Sequence, residues 1–205
     1  CIYPSYRQKK YKLPKLKERD AYPADPEDGY GWEKLFNERM CRHFYEDFGL
    51  EVRIARYHNV YGEYGSWRDG REKAPAALSR KFAESIHKKN NKIEIWGNGK
   101  QIRSFLYIDD CIKGSDLLFK SKYRHPINIG NDKHVTINKL VSILEKITKH
   151  KVERVYDTSK PKGVDSRSSD NTLVKKILNW SPETSTEKGM EKLFKFVNSE
   201  YLKIK

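Results

Sequence analysis

Apolar residues along this chain fall into short runs of two periods, near two and near three and a half, separated by polar punctuation. Leu35, Met40, Phe44 and Phe48 are spaced for burial on one face of a helix over about 29–47, and Gly49 is placed to stop it. Val52, Ile54 and Ala55 give a short strand, and Pro75 suits the first turn of a helix running to about His87. Ile93–Trp96 and Ile102–Ile108 read as strands joined by the turn Gly97-Asn98-Gly99. Asp109 and Asp110 stand where an N-cap would open a helix over about 110–120. Pro126–Ile129 reads as a strand ended by Gly130, Thr136 as the cap of a helix to about Lys149, and Val152–Tyr156 as another strand. Helices over about 171–178 and 185–202 follow. Residues 5–29, polar and carrying Lys9, Lys10, Lys12, Lys15, Lys17, Pro23 and Pro26, read as a long surface loop. Helices alternating with strands make the class α/β.

At 205 residues the chain is long enough for a real core, and 12% aromatic residues argue against global disorder. No apolar run approaches the roughly 18 residues of a membrane helix, and no signal peptide is expected. The net charge of +14 invites a nucleic-acid partner. The lysines are spread through helices and loops alike, however, without a zinc-finger or RNA-recognition pattern, so a solvated basic surface is expected instead. Three widely spaced cysteines do not make a disulfide framework and fit a reducing, cytoplasmic setting. Cys41 and Cys111 read as small core residues. None of the six histidines has zinc-ligand spacing, and no metal site is expected.

The chemistry gathers around Asp28-Gly29-Tyr30-Gly31-Trp32-Glu33-Lys34. Tyr30 and Lys34 are one helical turn apart and project from the same face. An ammonium there favours a phenolate, lowering a phenol pKa of about 10 toward the working range of an acid or base. In a lysine-rich chain the same spacing also fits a plain solvated helix face.

The order of further motifs narrows this. Cys1-Ile2-Tyr3-Pro4, Tyr30-x-x-x-Lys34, Arg56-x-x-Asn59-x-Tyr61-Gly62, Trp96-Gly97-x-Gly99 and Arg103-Ser-Phe-x-Tyr-Ile-Asp109 follow one another, and together they resemble the extended short-chain dehydrogenase/reductase family. Gly70-Arg71-Glu72-Lys73-Ala74-Pro75-Ala76-Ala77, Gln101-Ile102-Arg103-Ser104-Phe105 and Ser169-Asp170-Asn171 narrow the likeness to the branch that epimerises GDP-mannose at C3 and C5. The likeness runs from Cys1 to about Val197. It implies the C-terminal portion of such an enzyme, with the end of a Rossmann-type sheet and a smaller substrate domain. Residues 1–60 would be the remnant of the NAD-binding domain and 61–205 mainly the substrate domain, some segments returning. The N-terminal nucleotide-binding half, with its glycine-rich phosphate loop, is expected upstream of Cys1.

The resemblance also implies roles. Tyr30 and Lys34 would act on the C4 hydroxyl and hold NAD, while Cys1 and Lys73 would exchange protons at the carbons beside a transient 4-ketone. Asn59, Glu72, Lys73, Ala74, Lys81, Gln101, Ile102, Arg103 and Arg167 would surround the nucleotide sugar, with Lys81, Arg103 and Arg167 on the diphosphate. A homodimer is implied for the full-length protein. Four of these residues have a blander alternative: Cys1 as a buried strand cysteine, Lys73 and Lys81 as solvated charges, Asn59 as a turn residue. The family pattern Gly-x-Arg-Gly-Arg-x-Ser-Asp-Asn also meets an exception, because Asp165 stands where an arginine belongs, and Lys88–Lys92 reads as a surface insertion. A 4-epimerase or 4,6-dehydratase of the same family would share Tyr30, Lys34 and Arg103 without needing Cys1 and Lys73. A non-catalytic basic binding module is the reading from another class.

Overall fold

The computed structural model describes residues 1–8, 15–160 and 163–204. Lys9, Lys10 and Lys12, expected in the surface loop, lie outside them. Helix α1 (Gly29–Phe48) opens where the Asp28 carboxylate accepts from the Gly31 N–H at 2.7 Å, and ends at Gly49 in the left-handed conformation. Strands β2 (Ala55–Tyr57) and β3 (Val60–Tyr61) lead to α2 (Ala74–His87), which has Pro75 in its first turn. Then come β4 (Lys92–Trp96), β5 (Ile102–Ser104), β6 (Leu106–Tyr107) and α3 (Ile108–Lys120). Strands β7 (Ile127–Ile129) and β8 (His134–Thr136) precede α4 (Ile137–Thr148), whose first turn is capped by Thr136. The chain continues through β9 (Glu153–Asp157), β10 (Ser166–Ser169), α5 (Thr172–Leu178) and α6 (Thr186–Lys203).

Parallel pairing dominates, as an α/β chain requires. Strand β2 pairs with β7, β3 with β6, and β4 with β9. The fourth sheet runs β1 (Lys15–Leu16), β10, β5, β8, with only β8 antiparallel. The largest core lies where Phe82 of α2, Ile95 of β4, Leu144 of α4 and Met190 of α6 meet, each at most 2% exposed. Side chains of that size contribute about 1.5–3 kcal/mol each when fully buried. A second core joins Ile127 and Ile129 to Leu118, Val174 and Trp180, and a third joins Ile2, Tyr3, Leu16, Ala21 and Leu35.

Five expectations are corrected. Strands β4 and β5 do not pair with each other across Gly97-Asn98-Gly99; β4 takes β9 as its parallel partner, which seats Ile93 and Ile95 in the main core while Lys92, Glu94 and Trp96 stay exposed on the other face. The single strand over 102–108 is two strands broken at Phe105, and Ile108 already belongs to α3. Tyr107, not an aspartate, occupies the N-cap position of α3, without a side-chain cap: buried Asp110 instead accepts from the N–H groups of Glu183 and Thr184, and Asp109 pairs with Lys192 at 3.2 Å. The 5–29 stretch is not all surface loop, since 3₁₀ turns at Ser5–Gln8 and Glu18–Ala21 and strand β1 bury Gln8, Leu16 and Ala21. On α1 only Gly31 and Leu35 are buried, whereas Met40, Phe44 and Phe48 are exposed. Periodicity marks an apolar face without saying what covers it.

Candidate functional site

Tyr30, Lys34, Asn37, Glu38 and Cys41 form one stripe of α1 along a cavity of about 540 Å³. Tyr30 is 58% exposed, and the Lys34 ammonium stands 5.1 Å from the centre of its ring. The same ammonium pairs with Glu33 at 3.1 Å. Cys41 is thus half-buried on a cavity wall rather than a core residue, because it falls on the stripe, while Cys111 is buried as expected. Cys1 reaches the same cavity, and Gly31 is why it stands so close to α1: a Cβ at Gly31 would lie 2.6 Å from the Cys1 carbonyl oxygen.

A second cavity of about 650 Å³ shares Asn59, Lys73 and Arg167 with the first. Glu72, Ala74, Lys81, Gln101 and Arg103 complete its sequence-expected wall. The two cavities thus bring together every expected site residue except Ile102, which lies half-buried in β5 and lines neither.

Local structure sets each position. Asn59 has a positive φ of 43°, tolerable for an asparagine, and its side-chain amide donates to the Ser104 carbonyl at 3.0 Å, tying the loop after β2 to β5. Lys73 is the residue that precedes α2. Burial works against the Glu72 carboxylate, but the Arg80 guanidinium at 3.0 Å and the Gly70 N–H at 2.7 Å outweigh it and hold its pKa below the usual range. Burial pushes the Lys81 ammonium down; it donates to the Glu94 carbonyl at 2.6 Å and sits 5.9 Å from the Trp96 ring centre. Gln101 is 3% exposed; its amide donates to the Trp96 carbonyl, and its buried Oε1 has no hydrogen-bond partner.

Arg103 and Arg167 are register partners on the adjacent parallel strands β5 and β10, so their side chains leave the sheet side by side. Burial, reinforced by the Arg167 charge, brings Arg103 down to about 10, and burial lowers Arg167 as well. Arg103 donates to the carbonyls of Ile102 and Val164, and Arg167 donates to Gln8 at 2.6 Å and pairs loosely with Glu27 at 3.7 Å. Like charges held together on a sheet are unfavourable unless an anion joins them. Here the Glu27 carboxylate is one such anion beside Arg167, and Glu27 and Asp165 both counter the lowering of Arg103.

A model of the NAD dependent epimerase/dehydratase family matches residues 1–130, well over half the chain. The chain belongs to that family. It is 42% identical over 205 residues to the GDP-mannose 3,5-epimerase of Arabidopsis thaliana, covering 100% of this chain and 53% of that protein. This epimerase-family chain therefore spans about half the length of the curated relative. The UDP-glucuronic acid 4-epimerase of Bacillus cereus, solved with UDP-glucuronic acid and NAD, superposes with a TM-score of 0.79 at 26% identity, over 97% of this chain and 61% of that one. The UDP-glucose 4-epimerase of Thermotoga maritima shares the fold with a TM-score of 0.84 at 24% identity, over 97% and 62%. Among the described residues no cluster of His, Cys, Asp or Glu is placed to hold a metal ion, and no helix is long and apolar enough to cross a membrane.

Glu38, Arg56, Tyr3 and His58, which also line the first cavity, had no role in the sequence reading, although Tyr3 and Arg56 stand in its motifs. Glu38 carried a signal in plain view: it continues the four-residue step from Tyr30 through Lys34.

Proposed function

We propose that this chain is the sugar-nucleotide half of a GDP-mannose 3,5-epimerase, a cytoplasmic homodimer when full length. Residues 1–60 belong in this reading to the cofactor domain and 61–205 mainly to the substrate domain. The observation that carries it is the convergence of Tyr30, Lys34, Cys1 and Lys73 on one cavity that joins, through Asn59, Lys73 and Arg167, a second cavity walled by cations. The 42% identity to an epimerase of that name supports the substrate.

The residues present fit the nicotinamide–ribose end of NAD, because the Tyr30 hydroxyl and Lys34 ammonium share one open wall. Bound NAD would supply the reversible hydride acceptor for C4. Tyr30 takes the C4 hydroxyl proton, and Lys34 stabilises the resulting phenolate. Carbons 3 and 5, beside the ketone, lose protons readily because the carbanion spreads onto oxygen. Cys1 and Lys73 remove and return protons on opposite faces of the ring. Arg103 and Arg167 hold the diphosphate, and Lys81 borders the nucleotide end. Gln101 offers its orphaned Oε1 to a donor on the ligand.

The test is solvent deuterium exchange at C3 and C5 of recovered GDP-sugar by the full-length protein. Cys1→Ser and Lys73→Ala should each reduce NAD transiently and stall before inversion, since a serine hydroxyl is a far poorer base than a thiolate. Parental exchange and inversion in both variants would refute Cys1 and Lys73 as the acid and base, whereas a parent that inverts neither C3 nor C5 would refute the 3,5-epimerase and leave a 4-epimerase or 4,6-dehydratase.

A further inference from the structure

Glu38 lies one helical turn beyond Lys34 and two beyond Tyr30, on the stripe of α1 that lines the first cavity. Its carboxylate accepts from both Arg56 Nε at 2.9 Å and Arg56 Nη2 at 2.7 Å. The pair is nearly dry, with side chains 13% and 6% exposed for Glu38 and Arg56. Arg56 also donates through Nη1 to the Glu18 carbonyl at 2.7 Å and to the Tyr3 hydroxyl at 3.5 Å. The Tyr3 hydroxyl in turn donates to Asn128 Oδ1 of β7, which His58 Nε2 of the β2–β3 link also meets at 3.1 Å. One buried chain of polar groups thus ties α1 to β2, to β7 and to the Cys1–Tyr3 segment.

A buried ion pair adds little net stability over an apolar pair of the same volume. Its distinctive effect here is geometric. A two-pronged guanidinium–carboxylate bond fixes rotation as well as distance, and rotation of α1 about its own axis carries the whole stripe with it. Side-chain tips lie about 5–6 Å from a helix axis, so a turn of about 10° moves the Tyr30 hydroxyl and Lys34 ammonium by about 1 Å. Misplacement on that scale costs about 10²-fold in rate.

We propose that Glu38 and Arg56 are positioning residues that set the rotation of α1, so that Tyr30 and Lys34 face the reacting sugar while Tyr3 holds Cys1 beside them. This rests on the proton-transfer roles given to Tyr30 and Lys34 above. In the full-length protein, Glu38→Gln and Arg56→Lys should each lower kcat about 10- to 100-fold. KM for GDP-mannose should stay within about threefold, the mark of an interaction lost from the chemistry and not from binding. The double variant should be no worse than the weaker single, because either change alone opens the bond. Amides of residues 29–34 should exchange faster in each variant while those of α6 exchange as in the parent.

Near-parental kcat in folded variants overturns the proposal. So does a loss of kcat that only follows the folded fraction, or additive losses in the double variant. Should Glu38→Gln fail to fold, Arg56→Lys, which keeps a charge opposite Glu38, decides alone. Should the parent not turn over GDP-mannose, the failure lies with the functional reading, and hydrogen exchange still decides: faster exchange confined to residues 29–34 supports the clamp, and unchanged exchange refutes it.

Discussion

Replacing Gly31 with alanine sets two opposing effects against each other inside α1. Alanine is favoured over glycine within a helix by about 0.8–1.0 kcal/mol, so propensity alone predicts a more stable protein. At Gly31, however, the new methyl would stand 2.6 Å from the Cys1 carbonyl oxygen and 2.8 Å from Pro26 Cβ. One is backbone and the other a ring, so neither yields as a flexible side chain would. Overpacking of this kind costs about 1–3 kcal/mol. The net should be a loss centred near 1 kcal/mol, which lowers the melting temperature by about 2–4 °C in a chain of this size. Gly29 is the built-in control, since a methyl there meets nothing within 4 Å and Gly29→Ala should gain up to about 1 kcal/mol. Urea unfolding of both variants, with unchanged denaturant slope, measures the difference. If Gly31→Ala is as stabilised as Gly29→Ala, the close approach of α1 to Cys1 is wrong, and so is the placement of the thiol beside Tyr30.

Three further outcomes follow from the site. Tyr30→Phe should keep GDP-mannose binding in the full-length protein and abolish C4 oxidation; turnover within about tenfold of the parent would exclude Tyr30 as the base. Arg103→Ala and Arg167→Ala should each weaken GDP-sugar affinity by about 1.5–3 kcal/mol with little change in the rate of bound substrate, and an unchanged KM in both would remove the diphosphate assignment. Burial pushes the His58 imidazole from 6.5 down to about 3, so below about 6.5 the unfolded chain binds a proton that the folded chain refuses. Stability should therefore fall as pH drops through that window, by up to about 1.4 kcal/mol per unit from this group; urea midpoints of His58→Gln should fall less steeply over the same range, and parallel slopes would refute the assignment.

The helices were legible because their ends carry chemistry that acts locally. Asp28, Thr136 and Ser185 each accept the backbone N–H that a first turn leaves unpaired, and Gly49 takes the left-handed conformation that closes α1. The strands were less legible, because pairing is decided by residues far along the chain. Strand β10 reads Ser-Arg-Ser-Ser, with no apolar alternation, yet three of its residues are buried between β1 and β5. Its signal lies in hydrogen bonding to neighbours the local sequence does not name. The candidate site residues came from motifs, and the fold groups all but Ile102 of them along two adjoining cavities. Charged groups such as Arg56 and Glu38 escaped because polarity reads as solvent exposure until a partner is seen, and theirs are 18 positions apart.

Under the proposed diphosphate contacts, the side-by-side arginines of β5 and β10 would make the folded state itself a sensor of anions. In the unfolded chain Arg103 and Arg167 are far apart, so a phosphate-bearing molecule that bridges them binds only after the sheet has formed. At a concentration 100 times its dissociation constant, such a molecule adds about 2.7 kcal/mol to the stability of the fold. Melting temperatures taken in phosphate and in an uncharged buffer would then describe two different thermodynamic systems. The proposed ligand would then also protect the chain from proteolysis, which acts on the unfolded state.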